Sequence, residues 1–161
     1  MPAISFFVQG DPKGQPRPRA FARKTASGFV ARVYDAGTAE GWKSAVAEAA
    51  RPFLGQREVK PLNVSLAFYF RRPKIHFRSG KNSTGLKPGA PLWHTSRPDC
   101  DNLAKAVLDA LVVIGLIADD AMICQLEVSK CYTTYQSPGC SVMITPRHIP
   151  VEPTTSVSPP G

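Results

Sequence analysis

The sequence contains no long hydrophobic run. No apolar stretch approaches the roughly 20 residues of a membrane-spanning helix. The first residues, MPAISFFVQGDPKG, lack a basic segment followed by a long apolar one, so we expect no secretory signal. These two absences argue against membrane-spanning and secreted proteins and predict a cytoplasmic location.

Metal-binding cysteine pairs are also missing. The four cysteines are Cys100, Cys124, Cys131 and Cys140, and none forms a C-x-x-C pair or has a histidine at zinc-ligand spacing. The pattern favours reduced, partly buried thiols over disulfides or a zinc site.

Acidic residues are scarce, since 20 lysines and arginines stand against 12 aspartates and glutamates, a formal net charge of +8. Two long stretches, residues 12–34 and 59–98, carry cations and no acid at all. Such stretches favour a polyanionic partner, nucleic acid above all, over a merely solvated surface. The residues predicted to contact it are Lys13, Arg17, Arg19, Arg23, Lys24, Arg71, Arg72, Lys74 and Arg97.

The hydrophobic patterning predicts one α+β domain over residues 1–145, a small mixed sheet packed with two main helices. Glycines and prolines in residues 10–21 predict an extended cationic loop. The proline-rich residues 146–161 predict a disordered tail. The expected strands are 3–9, 29–35, 62–70, 122–132 and 141–145, the last two forming a hairpin, and the expected helices are 38–54, capped by Thr38, and 102–114.

A long basic loop, residues 71–96, separates the third predicted strand from the second helix. Loops of this length inside a domain are often functional. Phe77 and Trp93 stand among its cations, which suits base stacking with phosphate contact. It suits equally a loop that tucks two aromatic side chains into the core, and the sequence leaves both interpretations open.

Negative charge is concentrated in one segment, residues 99–120, which holds five of the twelve acids and one cation, Lys105. Asp99 and Asp101 flank a single residue ahead of the second helix and would face the same side if extended. Asp101 could instead cap that helix. The segment after Gly115 can fold back and return Asp119 and Asp120 toward the sheet.

Three or four carboxylates without a local basic partner favour a hard divalent ion such as Mg²⁺. Beside cationic loops, such an ion suits phosphodiester hydrolysis, in which Lys105 would stabilise developing charge or orient water. Asp109 is either a further ligand or an ion-pair partner of Lys105. His76 and His94 are either general bases or residues that contact phosphate or solvent.

The acids form a longer pattern, D-x-D-N-x-x-K-x-x-x-D-x-L followed by G-(x)3-D-D, within HTSRPDCDNLAKAVLDAL and the residues after it. This pattern resembles the RusA family of Holliday junction resolvases of bacteria, prophages and phages. The N-terminal PKGQPRPRAF is similar to a segment of its phage-like members. The resemblance covers about residues 3–145, and the insertion at 71–92 and the tail match less well.

The resemblance implies a homodimeric, Mg²⁺-dependent endonuclease that nicks two strands of a four-way DNA junction symmetrically. It implies catalytic roles for Asp99, Asp101, Lys105 and Asp120, metal binding by the three aspartates with Asp119 as an alternative ligand, and a supporting role for Asn102. It also implies a bacterial host cytoplasm and a phage or prophage origin. A metal-dependent nucleotide hydrolase and a non-catalytic branched-DNA-binding protein are the alternatives.

Overall fold

A computed structural model describes residues 3–16, 19–25, 28–34, 39–56, 61–134 and 136–147. Within them, a mixed sheet has the strand order β1-β6-β4-β5 and a separate antiparallel pair joins β2 to β3. The strands are β1 Ile4–Gln9, β2 Arg19–Thr25, β3 Gly28–Tyr34, β4 Leu62–Arg71, β5 Ile123–Thr133 and β6 Gly139–Pro146. The α-helices are α1 Glu40–Ala50 and α2 Cys100–Val113. The expected α+β class, with a mixed sheet and two main helices, is confirmed.

The predicted hairpin of the last two strands is wrong. β5 lies at the sheet edge and pairs in parallel with β4, whereas β6 lies between β1 and β4 and is antiparallel to both. Cys140, Val142 and Ile144 of β6 are buried in alternation, as expected for a central strand with one face on the core. The pairing of β6 is therefore set by burial of its apolar face and not by the turn residues between β5 and β6.

The helices cover one face of the sheet. Alternate residues of β4 point into the core, and the face of α2 that carries Leu103, Val107 and Leu111 packs with them. Trp42 and Val46 of α1 complete this layer. Burying such side chains stabilises the domain by roughly 1.5–3 kcal/mol each. The core therefore holds α2, and with it the acidic segment, in a fixed place on the sheet.

Most predicted elements are present, with different bounds. The first helix ends at Ala50 and continues as a 3₁₀ turn, Arg51–Gln56, in which Pro52 cannot donate an α-helical hydrogen bond. Thr38, its predicted cap, lies outside the described residues. β2 was not predicted, and its first residues, 19–21, were expected to be loop. Its pairing with β3 defines this strand more than its own composition does.

Arg147 directly follows β6, and its backbone N–H donates to the carbonyl oxygen of Pro61 at 2.7 Å. Residues 148–161 lie outside the described residues, so the predicted disordered tail and the domain boundary stay predictions. In the described part of the chain, no helix is both long enough and apolar enough to cross a bilayer.

Candidate active site

The acidic segment begins where the chain turns from the basic loop into α2. Asp99 occupies the N-cap position with extended backbone, and its side chain makes no capping hydrogen bond. Asp101 lies in the first helical turn, so the prediction that it caps the helix, or that both acids are extended, is wrong. Both side chains are exposed, and a carboxylate in a first turn is favoured by the helix dipole.

One lysine fixes the main chain that leads into this turn. The Lys130 ammonium, on β5, donates to the carbonyl oxygens of Ser96 and Pro98, both at 2.8 Å. The backbone N–H of His94 donates to the Lys130 carbonyl at 3.1 Å. The end of the basic loop is thus bound to the sheet edge immediately before Asp99. Sequence reading missed this role for Lys130, which lies among ordinary strand residues.

The N-terminal basic segment packs on the same turn from the other side. The Gln15 N–H donates to the carbonyl oxygen of Asn102 at 2.9 Å. A Cβ placed on Gly14 would lie 3.0 Å from the Pro98 Cβ and 3.1 Å from the Asn102 Cβ. Gly14 and Gln15 of the PKGQPRPR segment therefore lie directly against the D-x-D-N motif, a contact that neither motif indicates alone.

Lys105 lies one turn further along α2. Its ammonium is 3.2 Å from the Asp109 carboxylate, and the two side chains are 60% and 30% exposed. The ion-pair interpretation of Asp109 is thereby confirmed. Such a pair is worth only a few tenths of a kcal/mol, so Lys105 can exchange this partner for a phosphate oxygen.

Asp119 and Asp120 follow the opposite end of α2. The backbone N–H groups of Leu116 and Ile117 bond to the Leu111 carbonyl, which closes the helix end. The Asp119 carboxylate accepts the Ala121 N–H at 2.8 Å and so caps a 3₁₀ turn, Asp120–Met122. The chain does return to the sheet there, as expected, because β5 begins at Ile123.

The two acid pairs are far apart within one chain. α2 has 14 residues, which at 1.5 Å per residue separates its ends by about 20 Å. The position of β5 indicates the same separation. This strand begins at Ile123, just after Asp120, whereas Lys130, near its other end, binds the Pro98 carbonyl beside Asp99. Among the described residues, no three His, Cys, Asp or Glu side chains lie close enough together to hold a metal ion.

The donor chemistry nevertheless fits Mg²⁺. This ion prefers carboxylate oxygens, keeps several waters and is commonly bound by one or two carboxylates together with substrate phosphates. Asp99 and Asp101 are exposed carboxylates on one helical turn that is held from both sides. A pair of this kind meets the requirement without an all-protein cage.

The predicted DNA-contacting cations lie in several settings. Arg71 binds Asp11 at 2.9 Å, with side chains 72% and 54% exposed. Arg72 donates to the Pro91 carbonyl at 2.7 Å and to the Thr134 hydroxyl at 2.9 Å, so it anchors the basic loop. Lys13, Lys74 and Arg97 are exposed, Arg19, Arg23 and Lys24 fall in β2, and Arg17 lies outside the described residues.

The two histidines take part in aromatic packing, a role that sequence reading did not consider. The His94 ring stacks on Phe70 with centroids 4.0 Å apart, and the His76 ring meets Tyr132 edge-on at 4.8 Å. Burial, and then the positive charge of Lys130, lowers the pKa of His94 below its ordinary 6.5. His94 is therefore neutral at pH 7 and lies in the packing that supports the loop.

Comparison with known proteins places this chain in a family. The model of the family Endodeoxyribonuclease RusA matches residues 9–145. The uncharacterized protein YqaN of Bacillus subtilis (strain 168) is 32% identical over 145 residues, which is 89% of this chain and 96% of that protein. The chain therefore belongs to the RusA endodeoxyribonuclease family and is an endonuclease of the Holliday junction resolvase kind.

Proposed function

We propose that the protein resolves four-way DNA junctions by paired, symmetric, Mg²⁺-dependent nicks, with the start of α2 as its reaction centre. The observation that carries this proposal is the convergence of two basic segments on one acidic turn. Gln15 binds that turn from the N-terminal segment, and Lys130 binds the end of the basic loop just before it. A polyanion drawn to both segments is thereby delivered to Asp99 and Asp101.

The side chains at this turn have distinct tasks. Asp99 and Asp101 hold the divalent ion, which when bound polarises the phosphoryl oxygen and lowers the pKa of a coordinated water. Lys105 directs an ammonium group toward the scissile phosphate and stabilises the negative charge that develops there. Release of Lys105 from Asp109 costs little, because an i,i+4 ion pair on a helix surface is worth only a few tenths of a kcal/mol.

Asp120 joins this centre through a second copy of the chain. Within one chain it lies about one helix length from Asp99. A two-fold axis that crosses α2 near its middle brings the start of α2 in one copy beside the end of α2 in the other. Val113, 87% exposed, and Leu126, 43% exposed, offer apolar surface near that end for such a contact.

A two-fold dimer also fits the reaction, because paired incision needs two equivalent centres. The remaining predicted cations hold the arms of the junction by phosphate contact, which makes affinity depend on salt. For location, we propose the cytoplasm of a bacterial host, with a phage or prophage origin for the gene.

The test is cleavage of a synthetic four-way junction by Asp101→Asn. Junction binding in EDTA should persist or tighten, because one negative charge near phosphate is gone, whereas cleavage in Mg²⁺ should disappear. Glu48→Gln is the matched control, because it removes an exposed carboxylate of α1 that pairs with Arg51, and it should cleave normally. Cleavage retained by Asp101→Asn would contradict the proposed centre.

Binding and turnover assays of the unaltered protein distinguish the alternative functions. Junction binding without Mg²⁺-dependent cleavage would indicate a non-catalytic branched-DNA-binding protein, and turnover of free nucleotides in place of junctions would indicate a nucleotide hydrolase.

A further inference from the structure

The sheet face opposite the helices has no described helix packed on it. Its residues are the alternate positions of the strands, and small polar side chains are frequent among them, as at Ser5, Ser65 and Ser141. Two larger apolar side chains on this face are exposed, Phe7 at 43% and Met143 at 48%. The surface is mostly polar, with a few separate apolar groups on it.

Aromatic side chains cross one end of this face. Tyr69 of β4 pairs in register with Gly139 of β6, and its ring centroid is 6.3 Å from that of Phe7. A Cβ on Gly139 would lie 2.5 Å from the Phe7 Cζ atom, so the glycine leaves the space that the Phe7 ring occupies. Phe7 and Tyr69 therefore form a fixed pair over the central strands.

Trp93 extends this row past the edge strand. It pairs with Cys131 of β5, which is in register with Tyr69, so the three side chains point to the same face. Hydrogen bonds on both sides hold its backbone, from the Tyr132 N–H to the Leu92 carbonyl at 2.9 Å and from the His94 N–H to the Lys130 carbonyl at 3.1 Å. The indole itself is 59% exposed.

Phe77 and Trp93, the two aromatic residues of the basic loop, therefore lie in different environments. Phe77 is half-buried and forms a bridge with Leu86 inside the loop, whereas Trp93 is presented to solvent on a rigid backbone. Trp93 therefore offers a large flat ring, with its backbone held by hydrogen bonds, on which a base can stack.

The charge beside the row suits a phosphate backbone. Arg71 follows Tyr69 by two residues and shares its face, with its side chain 72% exposed. Its partner Asp11 is 54% exposed, and an exposed ion pair is worth so little that a phosphate oxygen can replace the carboxylate. Glu127 also lies on this face but pairs in register with Ser65, four residues before Tyr69 along β4.

We propose that Phe7, Tyr69 and Trp93 form a stacking platform for the unpaired bases of a DNA strand, with Arg71 on its phosphates. The Phe7 and Tyr69 rings are 6.3 Å apart, and Trp93 lies two further strand spacings of about 4.8 Å beyond Tyr69, a row that accommodates two or three splayed bases. Separate aromatic rings on a polar sheet favour bases over a second copy of the chain, whose stable interface needs contiguous apolar surface.

The platform deepens the proposed function, on which its biological meaning rests. Lys130, next to Cys131, points to the opposite, helix-bearing face and binds the Pro98 carbonyl there, so a DNA strand that passes around the β5 edge can reach both Trp93 and Asp99. Bases that leave their partners at a branch point can stack here while the adjoining phosphates lie at the acidic turn. The platform thereby selects branched DNA over intact duplex.

Intrinsic fluorescence tests the platform without catalysis. The chain has two tryptophans, and Trp42 is 5% exposed, so binding at the platform should quench chiefly Trp93. In EDTA, a single-stranded oligothymidine should quench the emission, a fully paired duplex of equal length should not, and Trp93→Phe should abolish the quenching. Equal quenching by the duplex, or none by the oligothymidine, would overturn the proposal.

Affinity supplies the second measurement. Trp93→Ala should weaken binding of the oligothymidine about 10-fold and leave duplex binding unchanged. Ile75→Ala is the matched control, because Ile75 is 72% exposed on the same loop but lies in a 3₁₀ turn away from the row. Equal affinities of the two variants would overturn the platform, as would a change in oligomeric state of Trp93→Ala without loss of DNA binding. Junction cleavage in Mg²⁺ tests the proposed function separately, since the quenching needs no metal.

Discussion

The backbone N–H of Gln15 donates to the carbonyl oxygen of Asn102 at 2.9 Å, which joins the N-terminal basic segment to the first turn of α2. Gly14 leaves no room for a side chain there, because a Cβ would lie 3.0 Å from the Pro98 Cβ and 3.1 Å from the Asn102 Cβ. The segment and the acidic motif thus form one unit, although most of the chain separates them in sequence. A change at Gly14 should therefore reach Asp99 and Asp101 without touching either.

Gly14→Ala should slow cleavage far more than it weakens DNA binding. The added Cβ would lie 3.0–3.1 Å from two neighbouring Cβ atoms, so either the segment or the acidic turn must shift. Overpacking of this kind costs about 1–3 kcal/mol of stability. A displacement of reacting groups by about 1 Å can cost about 10²-fold in rate. Single-turnover junction cleavage in Mg²⁺ and junction affinity in EDTA check the two effects.

Gly41→Ala serves as its control. Gly41 lies in α1, and a Cβ there meets nothing within 4 Å, so the change should be neutral or stabilise by at most about 1 kcal/mol. If both alanine variants cleave junctions at the wild-type rate, the contact between Gly14 and the acidic turn does not affect cleavage.

Lys130→Met should loosen the entry to α2. It removes two hydrogen bonds from a charged donor to the Ser96 and Pro98 carbonyls but keeps the length of the side chain. We expect a loss of about 2 kcal/mol in the free energy of unfolding and a cleavage rate reduced roughly tenfold or more. Urea unfolding and single-turnover cleavage measure these changes.

The control for Lys130→Met is Lys81→Met, which removes the same charge from an exposed 3₁₀ turn of the basic loop. It should leave stability and cleavage nearly unchanged. Equal effects in both variants would mean that Lys130 acts only through the net charge of the protein.

Local patterns predicted the elements but not all of their pairings. The apolar periodicity of residues 103–111 predicted α2, because a helix buries one stripe wherever it packs. The place of β6 between β1 and β4 was not predictable in this way, since several strands share the same alternation and only the assembled core selects a partner. β2 was missed for the same reason, because β3 defines it.

The acidic turn shows the same division. The spacing of Asp99, Asp101 and Lys105 along the start of α2 follows from the sequence, as does the Lys105–Asp109 pair. The support from Gln15 and Lys130 does not, because each reaches the turn through tertiary packing. Nor could the motif reveal that α2 separates Asp120 from Asp99, since the direction of the chain after Gly115 depends on where β5 joins the sheet.

His94 should make stability depend on pH. Its folded pKa is lowered, so below its ordinary 6.5 the unfolded chain takes up a proton more readily than the folded one. Stability is therefore highest above pH 6.5 and falls as the pH drops below it. His94→Phe keeps a ring against Phe70 without the titration, so its urea midpoint should fall less than that of the wild type between pH 8 and pH 5.5.

The same pKa offers a direct check on Lys130. Burial is the larger cause of the shift and the Lys130 charge the second. In Lys130→Met the His94 pKa, followed by NMR, should therefore rise. An unchanged His94 pKa in this variant, or identical pH dependence in His94→Phe and wild type, would contradict the packing of these two side chains.

Mixing of inactive subunits tests whether each centre draws on two chains. Asp101→Asn and Asp120→Asn should each be inactive alone. If Asp120 acts in the centre of the other copy, a mixed dimer contains one damaged centre and one that combines intact Asp101 with intact Asp120. Roughly half of randomly assorted dimers are mixed, so about a quarter of wild-type centres should return.

The product of the mixture identifies the arrangement. Paired cuts linearise a supercoiled plasmid that extrudes a cruciform, whereas one working centre per dimer leaves an open circle. We therefore expect open circles from the mixture of Asp101→Asn with Asp120→Asn. Asp101→Asn mixed with Asp99→Asn is the control, because both changes lie at the same end of α2 and no combination restores a complete centre. Absence of nicking in both mixtures would place every catalytic carboxylate of a centre in one chain.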